Sequence, residues 1–427
     1  MSKPKLVLYS SVDVYGGYPS AGRMWAKSLI ELYDDNYDIK IIPCGWGMLP
    51  EGFIQDNYNE WGFLDKYILK ENLTYKPDVM IWHTIPTEAQ PIGNYNILIT
   101  AGIETNISAP GWIEGLNKMD LILVPSQHSK DVFMNTIFDK QDPNTKQIVG
   151  KLKCEKLIEV VGEGFNEDIF KFIPSLPKES EINKELNKID EKFCFLFTGS
   201  WLNGQFNEDR KNITGLIKVF LETFKNKKDK PALILKTSIS SCSIPNREEI
   251  LKRIDQIRKT VNSTNLPNIY LFHGEITDNE MNELYNHPKI KAMVSLTKGE
   301  GYGRPLLEFT QSKKPVIASN WSGHLDFLNK DFTSLVPGNL TPIHPSAQVK
   351  DMLIEGSQWF SVDLGYAGGI MKDCFENYSK YETNGKRLGF YCKENFNQEK
   401  IKEKLYNILE TNIKLPYLLV LPPLRKV

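Results

Sequence analysis

The chain has 427 residues, of which 41% are hydrophobic and 25% charged, and its formal net charge at pH 7 is −1. That length exceeds one ordinary domain and sets two globular domains as the expectation. The near-zero charge excludes a global basic field, so nucleic acid is a disfavoured partner, though not an excluded one. No apolar run is long enough to span a bilayer. The opening Met1-Ser-Lys-Pro-Lys has no signal-peptide core, and the six cysteines show neither metal-site nor redox spacing. A cytoplasmic protein with reduced thiols is the expectation.

In chain order, Lys5–Tyr9 reads as a strand and Tyr15-Gly-Gly-Tyr-Pro-Ser20 as a glycine turn. Ala21, Met24, Trp25, Ser28, Leu29, Leu32 and Tyr33 then recur at helical spacing. Short apolar runs at 38–43, 78–82, 96–100, 120–124 and 159–161 read as buried parallel strands. Residues 1–172 are thus expected to form one Rossmann-like domain. The turn-rich, charged stretch 173–192 reads as a linker. A second alternating unit, 193–380, has strands expected at 193–197, 232–236, 268–272, 290–296 and 315–318. Helices are expected between them at 214–224, 247–260 and 278–285. Residues 381–427 are expected to form a charged, C-terminal helical segment. The fold class predicted is α/β, with two Rossmann-like domains whose parallel sheets face a central cleft.

The most informative stretch is Lys298-Gly-Glu-Gly-Tyr-Gly-Arg-Pro-Leu-Leu-Glu308. It follows the strand 290–296, and Pro305 suits the first turn of a helix because its missing N–H is not needed there. A strand, a glycine loop and a helix N-terminus together offer free N–H groups and a positive dipole end to a phosphate. Glu300 and Glu308 flank the loop as acids able to hold sugar hydroxyls. Gly301 and Gly303 would let backbone approach a ligand. No Gly-x-Gly-x-x-Gly fingerprint, P-loop, nucleophile elbow or Asp-x-Asp metal motif occurs.

These residues resemble the retaining glycosyltransferases of the GT-B fold, the group 1 family, whose paired glutamates match Glu300 and Glu308. Val124-Pro-Ser126, Val161-Gly-Glu-Gly-Phe165, Phe197-Thr-Gly-Ser200, Arg210-Lys-Asn212 and Leu271-Phe-His-Gly-Glu-Ile-Thr-Asp278 extend the resemblance along most of the chain. The wording of Ala101-Gly-Ile-Glu-Thr-Asn106 and of 112–120 looks like uncharacterised phage and viral members. The resemblance implies a nucleotide-diphospho-sugar donor, an acceptor hydroxyl, retention at the anomeric carbon, and no required metal or other cofactor. It implies an acceptor-binding N-domain and a C-terminal helix returning towards it. Glu308 would hold the ribose, and Glu300 and Glu104 would stand at the reacting centre. Arg210 and Lys211 would face the diphosphate, with Ser200 where the family often has its earlier cation, and Lys236 as a lesser candidate. Gly16, Gly17, Gly301, Tyr302, Gly303, Arg304 and Ile276 complete the donor site. Arg304, often apolar in the family, is either a charge beside the phosphates or a solvated helix-end residue. His83, His128 and His324 sit near strand ends with open roles. Alternatives are a nucleotide-sugar epimerase of the same fold and a non-catalytic sugar-nucleotide or glycan-binding module.

Overall fold

The computed structural model describes residues 3–413 except 48, 143, 203, 205, 206, 240 and 241. The last fourteen positions of the expected C-terminal segment, 414–427, and three positions of the 201–209 loop lie outside the described residues. The N-domain strands are β1 (Lys5–Ser10), β2 (Asp38–Pro43), β3 (Val79–Thr84), β4 (Tyr95–Thr100) and β5 (Leu121–Val124), then an antiparallel hairpin β6 (Phe138–Gln141) and β7 (Ile148–Leu152), and β8 (Leu157–Val160). Six of them form a parallel sheet in the order β2-β1-β3-β4-β5-β8.

The C-domain repeats the plan with β9 (Cys194–Thr198), β10 (Ala232–Lys236), β11 (Ile269–Phe272), β12 (Ile290–Ser295), β13 (Val316–Ser319) and β14 (Ser334–Val336). Their order is β11-β10-β9-β12-β13-β14, again all parallel. A second hairpin, β15 (Gly338–Pro342) with β16 (Gln358–Val362), follows. The apolar runs predict buried strands because helices cover both faces of each sheet. Along β1, Leu6 and Leu8 enter one core and Val7 the other; along β9, Phe195 and Phe197 part from Cys194 and Leu196. That alternation is the period-two geometry of a strand buried on both sides.

Three differences from the sequence reading have local causes. The stretch expected as a linker contains a helix, Glu181–Asn187. Ser180 caps it, and Ile182 and Leu186 join the C-domain core, so two buried side chains outweigh a polar average. The exposed hairpin β6–β7 lacks the apolar alternation that marks a half-buried strand. The segment 44–66, not read as structured, holds short helices at Phe53–Asp56 and Tyr58–Trp61. After the helix Tyr378–Asn395, the chain turns at Asn397 into Gln398–Asn412. The last helix adds Ile401, Leu405 and Leu409 to the core beneath the helix Gly17–Tyr33 of the N-domain.

Candidate active site

Strand order reverses between β1 and β3 in one sheet and between β9 and β12 in the other. Ligands of open α/β sheets bind beyond the carboxyl ends of strands at such switch points. The two carboxyl edges face each other here, because the loops that leave them touch. A Cβ added to Gly102, after β4, would lie 2.4 Å from the Cα of Gly301, after β12. One added to Gly299 would lie 2.0 Å from the Glu104 carbonyl oxygen. Gly301, expected to admit a ligand, therefore also admits the opposing domain, whereas a Cβ on Gly303 would meet only its own.

The glycine loop leaves β12 and closes on the helix Arg304–Thr310, with Pro305 in its first turn. Gly303 turns the chain with φ 98°, a conformation that costs an L side chain steric strain. The Glu300 N–H donates to Ser322 Oγ at 2.9 Å, and the Gly323 N–H donates to the Glu300 carbonyl at 2.9 Å. Asn212, at φ 52°, starts the neighbouring helix Ile213–Phe224 and donates from Nδ2 to the Leu296 carbonyl at 3.1 Å. That helix start aims Arg210 and Lys211 at the loop.

Four charges meet at this point. Lys211 Nζ donates to both Glu300 oxygens, at 2.5 and 2.7 Å. Arg210 Nη1 lies 3.5 Å from Glu300, 3.0 Å from Glu104 and 2.7 Å from the Gly299 carbonyl. Burial works against the Glu300 charge, but Lys211 and Arg210 outweigh it and hold its pKa down at about 2. Burial, together with repulsion from Glu300, raises the Glu104 carboxyl against the pull of Arg210. Burial also lowers Lys211, against the attraction of Glu300. The cluster is charge-balanced, with two cations answering two carboxylates.

A second cluster surrounds Arg304, which is not a solvated helix-end residue. Its side chain is 14% exposed and spans the domains: Nη2 lies 3.1 Å from Glu308, Nη1 donates to the Gly17 carbonyl at 3.2 Å, and Nε lies 3.9 Å from Glu163. Burial lifts Glu308 to about 7; Arg304 opposes the shift, while Asp278 and Glu163 add to it. Gly17 thus reaches the cleft through its carbonyl, and Gly16, at φ 119°, sits against Leu49.

Other predicted residues lie elsewhere. The Tyr302 ring is buried against Phe327, so only its backbone faces the loop. Ile276 lines a separate pocket of about 210 Å³ with Thr198, Gly199, Ser200 and Lys236. Lys236 donates there to the Gly274 carbonyl at 2.7 Å and shares the pocket with Ser200. His83 is buried in a stack, with Tyr18 between it and Trp46 at 4.1 and 4.0 Å. Burial pushes His83 down to about 3, and its Nδ1 lies 3.0 Å from Ser10 Oγ. His324 bonds the Ser319 carbonyl at 2.7 Å behind the loop, and His128 lies edge-on to Trp321. Sequence reasoning missed Asp278 and Glu163 as acids around Arg304. It also missed the segment 44–66, whose density of aromatic and acidic residues was the available signal.

Residues 179–356 match the family described as glycosyl transferases group 1. No curated protein matches the sequence. Among solved structures, a glycosyltransferase from Rickettsia africae is 14% identical, with 97% of this chain and 100% of that one covered and a TM-score of 0.61. Sucrose-phosphate synthase from Thermosynechococcus elongatus is 12% identical over 96% and 99%, with a TM-score of 0.60. Anabaena HepE, solved in complex with UDP, is 12% identical over 95% and 100%, also at 0.60. Residues 179–356 are thus similar to a group 1 glycosyl transferase domain, which supports glycosyl transfer, and the chain as a whole has the GT-B fold.

Proposed function

We propose that this protein transfers a sugar from a nucleoside-diphospho-sugar to an acceptor hydroxyl, with retention at the anomeric carbon. The observation that carries the reading is the meeting of Glu300, Lys211 and Arg210 from one domain with Glu104 from the other, beside the glycine loop. The donor would lie along the C-domain, with its base at the Ile276 pocket and its ribose hydroxyls on Glu308. The diphosphate would meet the loop N–H groups, Gly17 and the cations. Because Lys211 is held by Glu300, it has to turn towards the phosphate as the donor enters, and Glu300 then faces the sugar. As the glycosidic bond breaks, negative charge grows on the leaving oxygen, and Arg210 and Lys211 stabilise it. The leaving phosphate takes the proton of the attacking hydroxyl on the same face of the sugar, which retains configuration. Glu104 orients that hydroxyl. In this scheme the side-chain cations do the work a metal would do. The closed contact between Gly102 and Gly301 excludes water from the reaction.

The test is thermal unfolding of the protein with UDP, GDP, ADP and their glucose conjugates. A ligand at 100 times its Kd stabilises the native state by about 2.7 kcal/mol. A shift with one nucleotide family, lost in Glu308→Ala, is the expected result. Unchanged affinity in that variant would remove the ribose role, and no shift with any nucleotide would overturn the transferase reading.

A further inference from the structure

One surface beside the cleft borders the proposed donor site at Arg304 but contributes no residue to it. Between β2 and Tyr67 the chain carries Trp46, Phe53, Tyr58, Trp61 and Phe63 among Glu51, Asp56, Glu60 and Asp65, with Lys66 its single cation. The segment is fastened to the loop after β1. The Tyr15 N–H donates to the Pro50 carbonyl at 3.0 Å, the Phe53 N–H to the Asp13 carbonyl at 3.1 Å, and the Ile54 N–H to Asp13 Oδ1 at 2.7 Å. From behind, buried Arg23 covers the Phe53 ring at 3.4 Å and donates to the Val12 and Val14 carbonyls. The result is a braced lip rather than a loose loop.

Its outer side presents aromatic faces. Tyr58 is 52% exposed and Phe63 40%, and Phe63 stacks on Trp61 with 6.1 Å between centroids. Glu60, Trp61 and Phe63 line a cavity of about 60 Å³ that Asp278 and Arg304 close from the other domain. That space is too small for a sugar ring but suits hydroxyl groups reaching in from one. Three neighbouring cations are already answered, Lys27 by Glu31 at 3.9 Å, Lys66 by Asp34 at 3.9 Å, and Arg304 by Glu308, while Arg23, bonded to backbone carbonyls, is buried behind Phe53. Glu51, Glu60 and Asp65 make no ion pair among the described residues.

We propose that this lip is an outer acceptor subsite for an uncharged carbohydrate; the acceptor role rests on the transferase reading above. An aromatic face takes the apolar side of a sugar ring, and carboxylates without an ion partner accept hydrogen bonds from its hydroxyls. A phosphorylated sugar or a nucleic acid also offers hydroxyls or bases to stack. Its phosphates, however, would meet carboxylates whose nearby cations are already paired or buried. Binding energy at a remote subsite serves to orient the reacting hydroxyl.

The test uses full-length protein, calorimetry, and a panel of malto-, cello-, chito- and manno-oligosaccharides, with glucose 6-phosphate and a single-stranded oligodeoxynucleotide as anionic probes. Tyr58→Ala and Phe63→Ala remove exposed rings, so both variants are expected to fold, checked by urea unfolding. The expected result is binding of at least one neutral oligosaccharide, weakened about five- to tenfold in each variant, with UDP affinity unchanged. Tighter binding of an anionic probe, no binding of any neutral oligosaccharide, or variants that bind as well as the native chain would overturn the proposal. Oligosaccharide binding that depends on the rings, in a protein that binds no nucleotide, would keep the lip and remove the transferase reading. Nucleotide binding without ring-dependent oligosaccharide binding would do the reverse.

Discussion

Glu300 and Glu308 share one loop and one helix, yet their surroundings push them in opposite directions. Glu300 is held at about 2 because Lys211 and Arg210 outweigh its burial. Glu308 rises to about 7 because burial and two neighbouring acids outweigh the single Arg304. A carboxylate accepts both ribose hydroxyls, whereas the protonated acid gives up part of that capacity. Glu308 binds a proton below about pH 7, so under the proposed ribose role the affinity for whichever nucleoside diphosphate stabilises the protein should rise from pH 6 to pH 8 and then level off. Glu308→Gln should remove that rise and weaken that nucleotide by about 10- to 150-fold, the worth of a hydrogen bond to a charged group. The variant also corrects for titration of the nucleotide itself, and an identical pH slope in both proteins would count against the assignment. At this scale the sequence was informative about the charged residues themselves. Glu300, Glu308, Arg210 and Lys211 stand out by type and spacing. Their pairing was hidden, because Arg210 and Glu104 are 106 positions apart and come from different domains.

At the scale of elements, two glycines at helix starts in opposite domains do different jobs. Gly303 is needed for its backbone: φ is 98°, and a Cβ there would also come within 3.1 Å of His324 Cβ. Gly303→Ala should therefore lose about 1–2 kcal/mol of stability in urea unfolding. Gly17 has nothing within 4 Å of an added Cβ and begins a helix. Gly17→Ala should unfold at or slightly above the native midpoint. Equal losses for both would show that the loop conformation does not decide the difference. Most strands were legible because runs such as Ile290–Ser295 are apolar and bounded by turns. The helix Glu181–Asn187 was not, because its two buried residues sit among charged neighbours. The β6–β7 hairpin was not legible either, because beyond the paired Phe138 and Leu152 at its base it meets solvent and no alternation is selected.

Across the whole molecule, closure rests on backbone meeting backbone, backed by a few polar contacts. Gly102 lies against Gly301, Glu104 pairs with Arg210, and Asn106 exchanges hydrogen bonds with Gln358 at 2.7 and 3.0 Å. A methyl group at 102 cannot fit this closure. Gly102→Ala should enlarge the radius of gyration in X-ray scattering above the compact value of about 22 Å and depress transfer, while each domain keeps its own cooperative unfolding. An unchanged scattering curve would mean that the contact is not required. Two α/β domains, their parallel strands and the carboxylates and cations of the glycine loop can be read along the chain, because those depend on local periodicity and side-chain chemistry. That Arg304 bridges the domains, that His83 is buried in a stack, and that an aromatic, acidic lip stands beside the cleft emerge with the folded molecule alone. Each of these depends on which distant residues meet, and chain spacing does not encode such meetings.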